Sequence, residues 1–270
     1  MAMNTTIAET VRQAKVYDLG QPYWWGMPVH PADPPFLIFL YRYHEHTQRL
    51  FEKIAPGFAD SISLLSTSMH AGTHMDVPIH MSRDLKVLGH DIRPHQGDKG
   101  YQNLPPELKS IDQVPPLVLR AVLLDICALK GVDLLPNRYG ITPEDLEAAA
   151  ARQGVSIGPG DCVLVRTGYS RYFETDADTY LHKFAGLLDS SAQWLASRRI
   201  TLFGIDNLAI GVPKPFECHN VLLTDNGIYV MKSLNLEQMA ADRVYESTVI
   251  VLPLKIKGGE ASLVRPIALA

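Results

Sequence analysis

Cysteine is scarce in this 270-residue sequence: three are present, Cys127, Cys162 and Cys218. They lie far apart and outside any CxxC pair, which excludes a disulfide framework and leaves them as buried free thiols. Runs of basic residues are also missing. Lys and Arg number 25 against 29 Asp and Glu, for a formal charge of −4, so a phosphate backbone has little to bind and nucleic acid is set aside as a partner. No apolar run approaches the roughly 20 residues that span a bilayer, and the opening MAMNTTIAETVRQAK lacks the apolar stretch of a secretory signal. The expectation is a soluble, cytoplasmic protein with no membrane partner. There is no internal repeat, low-complexity tract or Pro/Gly-rich linker, so 1–270 reads as one domain, with 46% apolar residues to fill a core.

What is present reads as α/β. LRAVLLDI (119–126), DCVLVRT (161–167), ITLFGID (200–206) and STVIVLPLKI (247–256) are strand-like runs. Between them, ITPEDLEAAAARQG predicts a helix: Thr142 caps it, Pro143 takes its first position, Asp145 completes the cap and Gly154 ends it. SSAQWLASRR predicts a second helix opening on a serine cap. HNVLLTDNGIYVMKSL places two apolar runs around TDNG and predicts a hairpin.

The chemistry concentrates in HAGTHMDVPIH, residues 70–80, which holds His70, His74, Asp76 and His80. These share even parity, so a straight strand puts them on one face, yet at about 3.3 Å per residue His70 and Asp76 lie roughly 20 Å apart. A metal ligand must come within about 2.0–2.2 Å of its ion, so the segment has to bend to make one site. A helix is no better, because Pro78 breaks it. Gly72 can supply the bend, bringing His70 and His74 together with Asp76 on a short extended stretch. Two imidazoles and a carboxylate leave coordination positions for water and substrate, as catalytic sites do. His80, past the rigid Pro78, is placed as a base. The competing reading is a solvated loop whose histidines titrate freely.

These residues match HxGTHxDxPxH without a gap, and the sequence thereby resembles the metal-dependent cyclase family, which includes kynurenine formamidase and isatin hydrolase. VYDLGQPYWWGMPVHPADPPF, GPGDCVLVRTG, FGIDNLAI and HNVLLTDNGIY resemble further family segments. The closing PLKIKGGEASLVRPIAL departs from the family's GGTGSPVRP at Glu260, Ala261 and Leu263. The resemblance implies a swivelling β/β/α domain with mixed sheets packed by helices. It also implies a homo-oligomer, dimer or tetramer, that hydrolyses an amide, formamide or lactone at a divalent ion. His70, His74 and Asp76 then bind Zn²⁺ or Mn²⁺, and His80 is an acid/base or a ligand of a second ion. Dinuclear relatives complete that second site with a later His and Glu. His219 matches the His, whereas Lys232 stands where the Glu aligns.

With TDNG as the hairpin loop, His219 falls opposite Lys232; an Asn226-Gly227 turn pairs it with Leu234 instead. An ammonium at the first position repels a cation, so one divalent metal per subunit is expected, with Lys232 either an exposed hairpin lysine or a holder of substrate carboxylate or oxyanion. Trp24, Trp25 and Phe36 lie in a proline-rich stretch, where flat rings can line an aromatic substrate's pocket or pack the core, and at most one of the two tryptophans faces a given pocket. Cys218 beside His219 is not read as a nucleophile, nor Asp206 as more than a strand-ending hydrogen-bond group. The expected activity is hydrolysis of a small, aromatic cyclic amide or N-acyl/N-formyl amide; a metal-binding protein without turnover is the reading from another class.

Overall fold

The computed structural model describes residues 6–270. Its frame is a nine-stranded sheet built from β1 (Val16–Asp18), β2 (His74–Asp76), β3 (Leu117–Asp125), β4 (Cys162–Arg166), β5 (Leu202–Ile205), β6 (Tyr229–Lys232), β7 (Glu246–Val251), β8 (Ala261–Leu263) and β9 (Ile267–Leu269). The order across the sheet is β1-β9-β7-β3-β4-β5-β6-β2-β8. The centre, β3 to β6, is parallel, and every pairing outside it is antiparallel. The strand-like runs of the sequence are therefore strands of this sheet: β4 and β5 are trimmed at both ends, β3 begins two residues before its predicted start, and β7 begins one residue early and stops at Val251.

Both faces of this centre are buried, which explains its near-continuous apolar sequences. Val122, Leu124, Val163, Val165 and Phe203 pack on one face with Leu146, Ala149, Ala192 and Leu195 of the helices Pro143–Gln153 and Asp189–Ser197. Ala121, Leu123, Cys162, Leu164 and Leu202 face the other way, toward Tyr17, Met75, Met231 and Val249. The result is a large curled mixed sheet packed by helices, the class the sequence predicts.

The first helix has the expected ends. Thr142 Oγ1 accepts from the Asp145 amide, the Asp145 carboxylate accepts from the Thr142 amide, and Gly154 closes the helix at φ +68°. The second opens two residues earlier than predicted, with Leu188 at its cap in place of Ser190 and Asp189 in its first turn, where a carboxylate favours the positive helix end. Ser191, within it, donates instead to the Ile141 carbonyl.

The predicted hairpin is not formed. Residues 215–219 are helical, Asn220–Asp225 continue as a π-helical turn, and only Tyr229–Lys232 is a strand. The TDNG signal is a helix terminus: the Gly227 amide donates to the Leu223 carbonyl, the Ile228 amide to Leu222, and Gly227 sits at φ +68°. That is the doubled hydrogen bonding of a glycine-terminated helix end, which uses the same Asn-Gly chemistry as a turn. Val221, Leu222 and Leu223 are all buried among the helices, so the apolar run had no single face to reveal.

Apart from the sheet, Leu37–Arg42 and Ile62–Ser66 pair as a two-stranded ribbon, with the helix His44–Phe51 between them. Ile38, Phe39, Leu40, Tyr41, Leu64 and Leu65 are exposed on it. Among the described residues no helix is long and apolar enough to cross a membrane.

Candidate metal centre

The bend demanded by distance is there. Gly72 adopts φ +54°, and a Cβ added to it would lie 2.8 Å from Tyr23 Cε1 and 2.9 Å from Met27 Cε, so backbone conformation and space both require glycine. Thr73 anchors the turn: its Oγ1 donates to the Ser233 carbonyl at 2.7 Å and accepts from the Gln21 amide at 2.8 Å. β2 follows directly and is fixed by neighbours on both sides, His74 opposite Lys232 on β6 and Asp76 opposite Ala261 on β8.

His74 is fully buried, and its Nδ1 can only donate to the Gly72 carbonyl, 2.7 Å away. Its Nε2 is thereby the lone-pair nitrogen, and it has no hydrogen-bond partner. Burial holds the ring well below its ordinary pKa, hence neutral. Nε2 lies 3.5 Å from Asp76 Oδ1, which also meets His70 Nδ1 at 2.9 Å. Burial pushes the Asp76 carboxyl up, but Lys232 and the neighbouring histidines bring it well below the usual range. One donor atom from each of His70, His74 and Asp76 falls within 4.8 Å of the others. A buried, orphaned imidazole nitrogen beside an anionic oxygen and a second imidazole is a donor set that fits a divalent cation.

Lys232 is buried, not exposed, because β6 pairs with β2 and its register points Lys232 to the same face as His74. Its Nζ lies 3.5 Å from Asp76 Oδ2. The two carboxylate oxygens of Asp76 are thus divided, Oδ1 to the histidines and Oδ2 to the ammonium. The predicted pairing of Lys232 with His219 gives way to this one, since His219 comes from a helix.

His80 ends the short 3₁₀ turn Pro78–His80 and lies over His70, ring centroids 4.1 Å apart and 34° from parallel. Its other aromatic neighbour is the buried His219, at 6.2 Å. Burial lowers the His80 pKa to about 4, so at neutral pH the ring is neutral and its lone pair is free of a proton. His70 differs: burial lowers it, but hydrogen bonds to Asp76 and Glu260 outweigh that and raise it to about 9. Glu260 Oε1 lies 3.3 Å from His70 Nε2, a contact the sequence did not offer except as a departure from a pattern.

The three aromatic residues separate. Phe36 is buried in a cluster with Met27, Ala71, Phe173 and Tyr180, and Trp24 packs on it, edge-on to Phe173 at 5.5 Å. Ala71 belongs to the motif, so this cluster abuts the site. Trp25 faces the other way, exposed and edge-on to Phe39 of the ribbon at 4.7 Å. Tyr23, which donates to the Thr73 carbonyl, and Leu263, opposite His74, also border the motif. Cys218 donates to the Leu187 carbonyl, and burial pushes its thiol up to about 12, which suits packing and not nucleophilic attack. Asp206 accepts from the Thr167 amide and hydroxyl and the Gly168 amide, tying β5 to the end of β4.

Sheet and triad together define a mixed α/β protein with a buried His-His-Asp centre suited to a divalent metal. The family model described as "Putative cyclase" matches residues 17–212, and the chain belongs to that family. Kynurenine formamidase of Bordetella petrii is 27% identical over 255 residues, covering 94% of this chain and 97% of that protein. Isatin hydrolase of Roseibium aggregatum is 25% identical over 254 residues, 90% of this chain and 86% of that one. Among solved structures, one described as a novel cyclase superposes with a TM-score of 0.85 at 24% identity, covering 100% of this chain and 92% of that one. Isatin hydrolase A of Ralstonia solanacearum gives 0.74 at 24% identity, covering 100% and 99%.

Proposed function

We propose that this protein is a metal-dependent hydrolase of a carbon–nitrogen bond in a small aromatic substrate, a cyclic amide of the isatin type or an N-formyl amide. The observation that carries the reading is the division of Asp76, whose Oδ1 converges with His70 and His74 while its Oδ2 faces Lys232. His70, His74 and Asp76 would hold one divalent ion, which when bound would supply Lewis acidity and make a water more acidic. Two imidazoles and a carboxylate accept Mn²⁺ or Zn²⁺.

The chain's own groups do the rest. His80, neutral and stacked on His70, takes the proton of the attacking water as the C–O bond forms. When the C–N bond breaks, the same ring returns that proton to the leaving nitrogen, giving a free amine and a carboxylic acid that then loses its proton to solvent. The Lys232 ammonium offsets charge on the carbonyl oxygen, or holds a substrate carboxylate. His219, its ring 6.2 Å from that of His80, supports the tetrahedral oxyanion or shares the proton transfer. The Trp24 and Phe36 cluster beside Ala71 offers flat apolar surface to an aromatic ring, while Trp25 packs on Phe39 of the ribbon instead. The ribbon's exposed apolar side chains support a homo-oligomer, dimer or tetramer.

Purified protein stripped by chelation and reloaded with Mn²⁺ or Zn²⁺ tests this, using isatin, N-formylkynurenine and a dienelactone. Turnover of an amide substrate that chelation abolishes and metal restores supports the hydrolase. Metal retention with no turnover of any of them identifies a binding protein on this scaffold.

A further inference from the structure

His70 is held at both ring nitrogens by carboxylates: Nδ1 is 2.9 Å from Asp76 Oδ1 and Nε2 is 3.3 Å from Glu260 Oε1. An imidazole that binds a metal ion gives one nitrogen to the ion, and its other N–H needs an acceptor that fixes the tautomer. For His74 that acceptor is the Gly72 carbonyl. For His70 the geometry leaves one choice. Nδ1 is on the side of Asp76 Oδ1, the oxygen His74 Nε2 also approaches, whereas Nε2 points away to Glu260.

We propose that Glu260 is the positioning residue of the metal centre, accepting the Nε2–H of His70 so that the Nδ1 lone pair is presented beside His74 Nε2 and Asp76 Oδ1. Glu260 is placed by backbone, not by chance. Its carbonyl accepts from the Val77 amide at 3.1 Å, one residue beyond β2, and β8 begins at the next residue with Ala261 opposite Asp76. The contact is therefore set by the same strand pairing that sets Asp76. Glu260 also answers Lys232. The ammonium at Asp76 Oδ2 weakens the triad for a cation, and the Glu260 carboxylate returns a negative charge on the opposite flank. In this chain the two charges of the site come from opposite neighbours of β2, Lys232 on β6 and Glu260 immediately before β8.

This rests on the metal-centre reading above, so the test separates the two. Zn²⁺ and Mn²⁺ affinities are measured by chelator competition for the wild type, Glu260→Ala and Glu260→Gln, with the melting temperature of each chelated protein as a check on folding. The tautomer of His70 in the zinc-loaded wild type is read from ¹⁵N-histidine NMR. Expected are a loss of about 10- to 100-fold in affinity for Glu260→Ala, a smaller loss for Glu260→Gln, whose amide oxygen still accepts the N–H, and a proton on His70 Nε2. Unchanged affinity in Glu260→Ala overturns the proposal while leaving the metal centre standing. So does a loss in Glu260→Gln equal to that in Glu260→Ala, which would make Glu260 a direct ligand, or a proton found on His70 Nδ1. A fall in melting temperature with affinity unchanged makes Glu260 merely structural and also overturns it. A wild type that binds neither ion overturns both readings.

Discussion

Lys232 Nζ stands 3.5 Å from Asp76 Oδ2, buried beside the same carboxylate whose other oxygen faces His70 and His74. A carboxylate bridges two cations by giving one oxygen to each, and here the second oxygen, without a hydrogen bond of its own, has the Lys232 ammonium as its ion-pair partner. Burial strengthens the consequence, since a cation beside Lys232 would meet its charge with little solvent between them.

Gly72 is the residue on which the triad's geometry turns. Gly72→Ala places a Cβ against Tyr23 and Met27 in a left-handed conformation, at a cost of about 1–3 kcal/mol. We expect a lower melting temperature and, because the Gly72 carbonyl orients His74, weaker Zn²⁺ binding. Calorimetry and chelator competition on one sample measure both.

His80→Gln removes the proton acceptor but no member of the triad. The expected result is a fall in kcat of about 10²- to 10⁴-fold with metal content unchanged. Steady-state rates alongside elemental analysis check it, and loss of the metal would make His80 a ligand.

Acid stability follows from the same ring. The His80 pKa in the fold is about 4 against an ordinary 6.5, so between these values the unfolded chain binds the extra proton and stability falls with falling pH. The window is 6.5 down to about 4, and His80 alone accounts for about 2 kcal/mol between pH 7 and pH 5. His70, raised to about 9, acts in the opposite sense, its contribution fading as pH rises from 6.5 to 9. Denaturant titrations of chelated protein at pH 7 and pH 5 should show a larger drop for the wild type than for His80→Gln.

The ribbon formed by 37–42 and 62–66 carries Leu64 and Leu65 into solvent on a chain that folds its other apolar strands inward. If the proposed homo-oligomer forms through this ribbon, Leu64→Asp should lower the mass measured by light scattering, leaving the metal content per subunit intact.

The central strands were readable because burial on both faces writes apolar runs such as LRAVLLDI and ITLFGID. The Gly72 bend was readable too, since distance alone forbade a straight segment. His219 was misplaced because Asn226-Gly227 serves a helix end as well as a hairpin. Lys232 and Glu260 stood out in the sequence, but their partners, Asp76 and His70, did not: each reaches the triad only through pairing with β2, a strand far away in sequence, and no local pattern encodes that register.

The most direct measurement is the number of divalent ions per subunit in the wild type and in Lys232→Glu, by elemental analysis after saturation and desalting. One ion in the wild type and two in the variant are expected, since the exchange removes the ammonium from Asp76 Oδ2 and adds a carboxylate. Two ions in the wild type, or none, would contradict the account.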